Sequence, residues 1–543
     1  MDFSKEKNTR FNPLHPAYKL NLWTVVETNS KPRLYVYWKR LGVFLAVLAI
    51  TGWLSITGAA WAYSRYHQGF VKADYWMIAM PWRWQEHRQA LGRFYLEQAP
   101  KEFEKADYAT GLAHLRIGVT RIPQDLAGRQ MLARAFNSFG RPELAINSLE
   151  DGLKWGSNDI EYLKLLFALL FQVQDDKRAL DIATRILPKK PDDKLPHLYT
   201  ALQAATAHYY RGNYDQAEQI IKQWDLGRSL NGPILLAKID WERGYQDAAL
   251  QRLEEALKRF GPADPLVLQL IWFYRETGQN DKATEYVQLR RISSTDGPGP
   301  RIDLLYSYYQ ENKQEPMAQE TEAFISTYAH DHLALLMLAW FGADTCNVAL
   351  TQRVRQIAAA NGYSLNGFTF ALVQAQLTAQ NYQAALTSAI DGIKAQRKTQ
   401  ADFNALLSGL ESVALFANAN GQDASLQLKS FLSQNNLRAT DAVLLARQLR
   451  LVNASSAARD VLTNAIAVDS LNQAALTDLV HLDAETDNRS GVVENLPKLI
   501  AMRKPSRAVL EESLMTLDPI NDAALFQQTK LALANSSRQQ VSE

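Results

Sequence analysis

One long apolar run stands out in the hydrophobic pattern of the chain. It covers 41–63, reads LGVFLAVLAITGWLSITGAAWAY and contains no charged residue. Its 23 residues would rise roughly 35 Å as a helix at about 1.5 Å per residue, enough to cross a hydrocarbon layer of about 30 Å. Aromatic residues flank both ends, as at the two interfaces of a membrane. The pattern predicts one transmembrane helix over 41–63.

Two alternatives to a membrane anchor are open. A cleaved signal peptide has a shorter apolar core of about 7–15 residues, although Ala59–Ala62 could imitate a cleavage site. A buried core helix would not explain the aromatic flanks, which include Tyr37 and Trp38 before the run and Tyr66 after it. No second stretch of the sequence approaches 18 apolar residues, so a single pass is expected.

Basic residues give the orientation of this helix. The first 40 residues contain eight Lys or Arg and three acidic residues. Within 20 residues of the run, four basic residues precede it and three follow it. Because basic segments stay in the cytoplasm, the narrow difference favours a cytoplasmic tail over 1–40 and a periplasmic location for the rest of an inner-membrane protein.

After the apolar run the pattern changes to helical spacing with a repeat near 34 residues. A Gly or polar residue is followed five positions later by Ala. The clearest instances are Gly140 with Ala145, Gln174 with Ala179, Gly212 with Ala217, Gly244 with Ala249, Gly278 with Ala283 and Gln380 with Ala385.

Each repeated position has a physical reason. Glycine tolerates the positive φ that ends a helix and turns the chain. The small Ala lets a second helix press against the first. Proline stops the second helix, as Pro123 and Pro191 are placed to do. The repeat therefore predicts consecutive helix–turn–helix pairs.

These features resemble the tetratricopeptide repeat family, whose unit is a 34-residue helix–turn–helix. The match is clear over 104–297 and becomes degenerate over 298–533, apart from a recognisable repeat near 366–399. The resemblance implies an all-α fold, in which the transmembrane helix is followed by a right-handed α-solenoid of about 11–13 helix pairs. Loops or bends are expected at 291–300 and 484–491.

Two segments belong to neither region. The segment 64–103 is rich in tryptophan near its start, and Trp76, Trp82 and Trp84 are candidates for an interfacial segment at the membrane surface. The alternative is an element that caps the first repeat. The last ten residues, 534–543, are polar and predict a disordered tail.

Composition and motifs exclude several classes of function. Residues 1–100 carry a net charge of +7 and the whole chain +2, so residues 101–543 sum to −5. This leaves no basic domain for nucleic-acid binding. The single Cys346 excludes an intramolecular disulfide, and its apolar surroundings favour a buried, inert thiol. The sequence contains no phosphate-loop, dinucleotide or hydrolase motif, and His330-Asp331-His332 is better explained as a loop than as a metal site. No enzyme activity, cofactor, metal or small-molecule substrate is therefore expected.

The predicted repeats offer a surface for protein partners. In tetratricopeptide arrays the first helix of each pair lines the concave side, and aromatic and Arg residues are frequent binding hot spots. The resemblance places seven residues on first helices as a candidate protein-binding groove: Tyr209, Tyr210, Trp241, Arg243, Trp272, Arg275 and Trp340. Each aromatic could instead belong to the core between repeats.

The membrane helix could also contact another helix. Small residues spaced by four allow close helix approach in a bilayer. The pairs are Ser55 with Ala59 and Gly58 with Ala62.

These predictions combine into a membrane-anchored, non-enzymatic scaffold that binds membrane or periplasmic proteins. It would support a membrane-associated complex such as a secretion, pilus or export apparatus, and would contact lipid through 41–63. The alternatives are an enzyme with a site hidden in the degenerate repeats, a translocon-associated chaperone, and an accessory subunit whose main contact is the membrane helix.

Overall fold

The computed structural model describes residues 22–28, 31–293, 297–397, 404–418, 421–433, 439–470, 472–503 and 505–537. Parts of three predicted segments lie outside these residues: 1–21 of the basic tail, 294–296 of the expected break, and 538–543 of the C-terminal tail. The chain divides into two compact units. The first contains Met1–Ser138 and Asn147–Trp155, and the second contains Phe139–Ile146 and Gly156–Glu543.

The first unit opens with a β-hairpin that the sequence pattern did not predict. Strands β1 (Trp23–Thr28) and β2 (Lys31–Val36) pair antiparallel, with Trp23 opposite Val36. The helices of the unit follow: α1 (Trp38–Ala62), a π-helical turn (Tyr63–His67), α2 (Tyr75–Ala79), a 3₁₀ turn (Pro81–Arg83), α3 (Trp84–Glu104), α4 (Tyr108–Arg121) and α5 (Leu126–Ser138).

Helix α1 contains the predicted membrane segment. The continuous helix Trp38–His67 is the one helix, among the described residues, that is long and apolar enough to cross a membrane by length and composition. Most of its apolar side chains are exposed, including Val43, Phe44 and Leu48. Thr57 is the exception within α1, since it is buried.

Helices α3 and α4 form the first helix pair. Close packing requires Gly118, because a Cβ there would lie 2.6 Å from the side chain of Leu96. Leu96, Leu115 and Val119 form the core of the pair. Since α3 begins at Trp84, the segment predicted over 64–103 supplies the first helix of this pair as well as the tryptophan-rich stretch before it.

The rest of the described chain is helical. Helices α6 (Pro142–Glu150) and α7 (Leu153–Gly156) come first. The described part of the second unit then contains eleven helix pairs, in addition to the pair of α3 and α4. They are α8 (Ile160–Gln172) with α9 (Asp176–Ile186), α10 (Leu195–Tyr210) with α11 (Tyr214–Gln223), α12 (Asn231–Glu242) with α13 (Gln246–Phe260), α14 (Asp264–Glu276) with α15 (Asn280–Ser293), α16 (Pro298–Gln310) with α17 (Gln314–Tyr328), α18 (His332–Asp344) with α19 (Val348–Ala360), α20 (Asn366–Thr378) with α21 (Tyr382–Arg397), α22 (Asn404–Ala417) with α23 (Gly421–Ser433), α24 (Ala439–Leu451) with α25 (Ser455–Val468), α26 (Gln473–Glu485) with α27 (Arg489–Met502), and α28 (Arg507–Thr516) with α29 (Ala523–Ser537).

In most of the described turns between the two helices of a pair, one residue has a positive φ, between 54° and 88°, and the turn between α28 and α29 has none. Most neighbouring members of this set are 34 residues apart, and the set continues through the region where the sequence repeat is degenerate. Its members are Ala106, Gly140, Gln174, Gly212, Gly244, Gly278, Asn312, Cys346, Gln380, Asn453 and Asp487. The left-handed conformation therefore marks each of these turns, even where the residue is not glycine.

Cys346 is one of these turn residues, which overturns its predicted burial. It lies between α18 and α19 with a φ of 57°, and its thiol is exposed. The apolar neighbours that suggested burial belong to α18, which ends at Asp344. The position of Cys346 in the 34-residue register, rather than its local composition, determines its exposure.

The residue five positions after the turn is small and buried in most repeats, as predicted, and the partly buried Met317 is an exception. Ala145, Ala179, Ala217, Ala249 and Ala385 each have 0% of their surface exposed. The equivalent Ala458, in the degenerate region, is also fully buried. Pro123 lies two residues after the end of α4, as predicted, whereas α9 already ends at Ile186, before Pro188, so Pro191 does not end that helix.

Candidate protein-binding surface

Two of the predicted groove residues, Trp241 and Trp272, lie side by side. Trp241 is near the C-terminal end of α12 and Trp272 is on α14, the first helix of the next pair. Their ring centroids are 5.9 Å apart. Trp241 also stacks on the buried Phe273, with 3.9 Å between ring centroids and an interplanar angle of 3°. Phe273 therefore fixes the orientation of the Trp241 ring.

Trp272 is the more accessible of the two rings, with 47% of its surface exposed. Leu268 lies one helical turn before it and is also exposed. We call Trp241, Leu268, Trp272 and Phe273 the tryptophan platform. Sequence analysis missed Leu268, although its i, i+4 spacing to Trp272 was available as a signal.

Lys238 places a positive charge one turn before Trp241 on α12. Burial lowers the pKa of its ammonium group. No ion pair of Lys238 occurs in the part of the chain that the structure describes, whereas the nearby Arg243 has two. Lys238 is thus a partly desolvated cation that lies one helical turn before Trp241 on α12.

The two arginines predicted for the groove are engaged inside the array. Arg243 forms ion pairs with Asp215 and Glu218 of α11, at N–O distances of 2.7 and 2.8 Å. Arg275 donates to the hydroxyl of Ser307 at 2.8 Å and to the carbonyl of Asp303 at 3.3 Å. Both side chains join consecutive helix pairs, although the Nε of Arg275 is buried without a hydrogen-bond partner.

The tyrosines of α10 are also packed against other residues. The ring centroid of Tyr209 lies 5.9 Å from that of Tyr214. Burial, and to a lesser extent the carboxylate of Glu242, raises the pKa of the Tyr209 phenol. Tyr210 lies beneath Arg503, whose guanidinium carbon is 4.2 Å from the ring centroid.

Arg503 belongs to a contact between early and late helices of the second unit. Its guanidinium forms two N–O contacts of 2.7 Å with the carboxylate of Asp176, the first residue of α9. Asp176 is 1% exposed. Burial raises the pKa of this carboxyl, and Arg503 opposes the shift.

Backbone contacts accompany this ion pair. Arg211 donates to the carbonyl of Met502 at 3.4 Å, and the backbone N–H of Gln473 donates to the side-chain oxygen of Gln174 at 2.5 Å. We call the set Gln174, Asp176, Tyr210, Arg211, Gln473, Met502 and Arg503 the closing contact. Nothing in the sequence repeat pointed to it.

Trp340 lies apart from the tryptophan platform, on α18. It is partly buried against two neighbouring core clusters, and its ring centroid is 5.4 Å from that of Phe370. Its role in binding stays a prediction.

The small residues of α1 fall into an open and a covered set. Ser55 and Ala59 are exposed. Gly58 faces Tyr75, since a Cβ added there would lie 3.9 Å from the tyrosine ring, and Ala62 is half-buried. Ser55 and Ala59 are therefore the members of the predicted contact that remain accessible.

The three predicted interfacial tryptophans differ in exposure. Trp82 is 77% exposed, Trp76 52% and Trp84 50%. The indole N–H of Trp84 donates to the carbonyl of Ile78 at 2.8 Å. Trp84 thus helps to hold the short helix α2 in place.

The histidines near residue 330 have ordinary structural contacts. His330 contacts the side chain of Asn361 at 2.8 Å, and Asp331 caps the N-terminus of α18. Within the described ranges, no group of three His, Cys, Asp or Glu residues could hold a metal ion.

No protein-family model and no curated protein matches this chain. Several solved structures are similar to it. The structure of Naa15/Naa10 bound to HypK-THB has a TM-score of 0.30 at 12% identity, over 90% of this chain and 75% of that chain. A tetratricopeptide repeat protein from Parabacteroides merdae has a TM-score of 0.28 at 13% identity, over 46% and 99%. The Cut9–Hcn1 hetero-tetramer of the APC/C has a TM-score of 0.26 at 11% identity, over 81% and 96%.

Proposed function

We propose that this protein is a membrane-anchored, non-enzymatic tetratricopeptide-type scaffold. It binds other envelope proteins and supports the assembly or stability of a membrane-associated complex, such as a secretion, pilus or export apparatus. The tryptophan platform is the observation that carries the proposal. A rigidly stacked indole beside an exposed one offers a large apolar contact at a low cost in conformational entropy, which is typical of binding hot spots.

The platform also limits the chemistry of the partner. Lys238 has lost part of its hydration without gaining a carboxylate. A partner that places an acidic group next to an apolar side chain would supply that carboxylate and cover Trp272. We therefore expect the bound segment to combine an aromatic or aliphatic anchor with an Asp or Glu nearby.

Anchoring rests on α1. Its exposed apolar side chains would be stabilised by lipid, and the basic residues before it favour a cytoplasmic N-terminus with periplasmic repeats. A reporter active only in the periplasm, fused after residue 543, would support this orientation. Activity of a cytoplasmic reporter at the same position would overturn it.

The binding proposal is tested by replacing Trp241 and Trp272 together with Ala in the full chain. Cross-linking in membranes, followed by purification in mild detergent, gives the set of attached proteins. The double variant should lose proteins that the wild type retains. Tyr245→Ala is the matched control, because Tyr245 is an exposed aromatic residue between α12 and α13, outside the platform. An unchanged set of attached proteins in the double variant would overturn the proposal.

A second candidate function is favoured by the exposed Ser55 and Ala59. In this case the protein is an accessory subunit whose main contact is its membrane helix. Exchanging 41–63 for an unrelated transmembrane helix should then release the partners, while the tryptophan variants should keep them. Retention of partners after the exchange would exclude this candidate.

A further inference from the structure

The tryptophan-rich segment folds back along α1. After the π-helical turn, the chain reverses at Gly69, whose φ is +72°. The indole of Trp61 donates to the carbonyl of Ala73 at 3.0 Å. Further along the segment, the indole of Trp53 donates to the carbonyl of Ala79 at 2.8 Å. The later residues of the segment therefore lie beside earlier residues of α1.

These contacts show how far along α1 the tryptophan-rich segment extends. Eight residues separate Trp53 from Trp61, which corresponds to about 12 Å along a helix. Between them, the hydroxyl of Tyr75 donates to the carbonyl of Leu54 at 3.1 Å. The ring centroid of Trp84 lies 5.9 Å from that of Trp53. Residues 73–84 thus follow the last two turns of α1 in the reverse direction.

This arrangement conflicts with a hydrocarbon span that reaches Tyr63. The returning segment carries Asp74 and Arg83, and Arg83 forms ion pairs with Asp74 at 3.6 Å and with Glu86 at 3.0 Å. All three side chains are partly exposed. If the hydrocarbon layer extended to Tyr63, these charges would lie inside it, at a cost of several kcal/mol. The boundary of the layer therefore belongs near Trp53.

The exposed aromatic residues fit such a boundary. Trp76 and Trp82 project from the returning segment, and Trp82 is 77% exposed. The indole N–H groups of Trp53, Trp61 and Trp84 are satisfied by backbone carbonyls, as a water-poor layer requires. The exposed apolar surface of α1 leads directly to Trp53. Indole rings concentrate at the headgroup level of a bilayer.

We propose that residues 73–84 form an aromatic collar that sits in the interfacial layer of the bilayer, with Trp76 and Trp82 in contact with lipid. The proposal rests on the membrane anchoring proposed above. It shortens the hydrocarbon-spanning part of α1 from 41–63 to about 41–53, roughly 20 Å by helical rise, and therefore requires local thinning of a hydrocarbon layer of about 30 Å.

Depth measurements on single cysteines test the collar. Cys346 is the sole cysteine, so Cys346→Ser gives a background for one added thiol. Leu48→Cys, Val71→Cys and Trp82→Cys are each spin-labelled in the full chain in liposomes, with Tyr245→Cys as a water-exposed reference. Collision with oxygen and with a water-soluble nickel complex then reports depth.

The collar predicts that position 82 lies deeper in the bilayer than position 71, although it is farther along the chain from α1. Val71 lies near the reversal and is 68% exposed, so its label should be in water like that at Tyr245. The label at position 82 should be deeper than that at 71, and the label at 48 deepest. A label at 82 as accessible to nickel as that at 71 overturns the collar. If position 48 is accessible as well, the membrane anchor itself is overturned.

A conservative variant checks that the cysteine has not disturbed the segment. Trp82→Phe keeps an aromatic ring but removes one indole. In liposomes containing lipids brominated close to the headgroup, this variant should lose part of the quenchable tryptophan emission. Equal quenched emission from the variant and the wild type would contradict lipid contact at Trp82.

Discussion

Arg503 holds the buried carboxylate of Asp176 through two contacts of 2.7 Å, although 327 residues separate them along the chain. Only neighbouring units contact each other in an ordinary solenoid, so stability is a sum of local terms. Here a single side chain links α9 to the end of α27. Arg503 therefore supplies long-range interactions that can be removed without altering any repeat.

Removal of Arg503 should open the second unit. Arg503→Ala leaves a carboxylate that is 1% exposed without its partner, which costs about 3–5 kcal/mol for a buried pair. Hydrogen exchange should increase in α8–α11 and α26–α28, and small-angle scattering should give a larger radius of gyration.

Two controls isolate the effect of the buried charge. Arg507→Ala breaks an exposed ion pair with Glu511 four residues away, so it should cost only about 0.3–0.5 kcal/mol. Asp176→Ala combined with Arg503→Ala removes both charges and should recover part of the loss. Equal exchange in Arg503→Ala and Arg507→Ala would show that the closing contact contributes nothing.

The two platform tryptophans should separate binding from stability. Trp272→Ala removes a ring with 47% of its surface exposed, so partner binding should weaken while the free energy of unfolding falls less than it does in Trp241→Ala. Trp241→Ala also loses its stack on Phe273, worth about 0.5–1.5 kcal/mol beyond the lost burial. Urea unfolding measured by circular dichroism, together with partner retention, distinguishes them. If the Trp272→Ala variant retains its partners normally, the tryptophan platform is not the binding surface.

Lys238→Met should have opposite effects on folding and on binding. The substitution keeps an unbranched side chain but removes a partly desolvated charge that has no described ion pair, so the folded state should be as stable or slightly more stable. Binding of a partner through a carboxylate should weaken. Unchanged affinity would mean that the partner does not place an acidic group next to Lys238.

Gly232 should not tolerate a side chain. A Cβ at this position would lie 2.0 Å from the carbonyl oxygen of Leu226, and a backbone atom cannot move aside cheaply. Gly232→Ala should therefore lower the free energy of unfolding by about 1–3 kcal/mol. Gly227→Ala is the matched control from the same turn, because a Cβ there has nothing within 4 Å. Similar urea midpoints for the two variants would contradict this packing.

Acidification should destabilise the second unit through His208. Burial, and secondly Arg211, lowers the pKa of this imidazole from 6.5, and its Nδ1 is buried without a hydrogen-bond partner. The folded state then binds fewer protons than the unfolded state. The neutral imidazole therefore makes its full contribution to the free energy of unfolding above pH 6.5. This contribution is lost as the pH falls towards the lowered pKa, by less than about 1.4 kcal/mol per pH unit.

His208→Leu should reduce this pH dependence. Its urea midpoint should fall less than that of the wild type between pH 7.5 and pH 5.5. His87 of α3, in the first unit, has a pKa lowered in the same direction, so His87→Leu should reduce the pH dependence of the stability of that unit. If the urea midpoint of both variants depends on pH as strongly as that of the wild type, the two histidines are not the cause of the pH dependence.

The helix pairs could be predicted from the sequence because glycine is strongly preferred at the positive-φ position of their turns. Gly212, Gly244 and Gly278 have positive φ at the turns where the repeat placed them. The rule weakened where Asn312 and Asp487 adopt the same conformation, since such residues also occur in many other settings. The structure has regular turns where the sequence repeat is degenerate.

Long-range contacts could not be predicted in this way. Asp176 looks like an ordinary acidic residue in the first turn of a helix, and Arg503 follows α27 without any repeated pattern. The return of Trp84 towards Trp53 likewise depends on the reversal at Gly69. Among the groove residues, periodicity placed Trp241 and Trp272 on first helices, but it could not show that Arg243 is held by Asp215 and Glu218.

The closing contact also constrains how this array can evolve. Repeat proteins commonly change by gain or loss of whole repeats, because each repeat needs only its neighbours. Eight helix pairs, α10 to α25, lie between the pairs that carry Asp176 and Arg503. Duplication or deletion of any one of them would displace Arg503 from Asp176. In homologues that keep this ion pair, copy number should therefore be invariant between the two residues, and length variation should fall outside them.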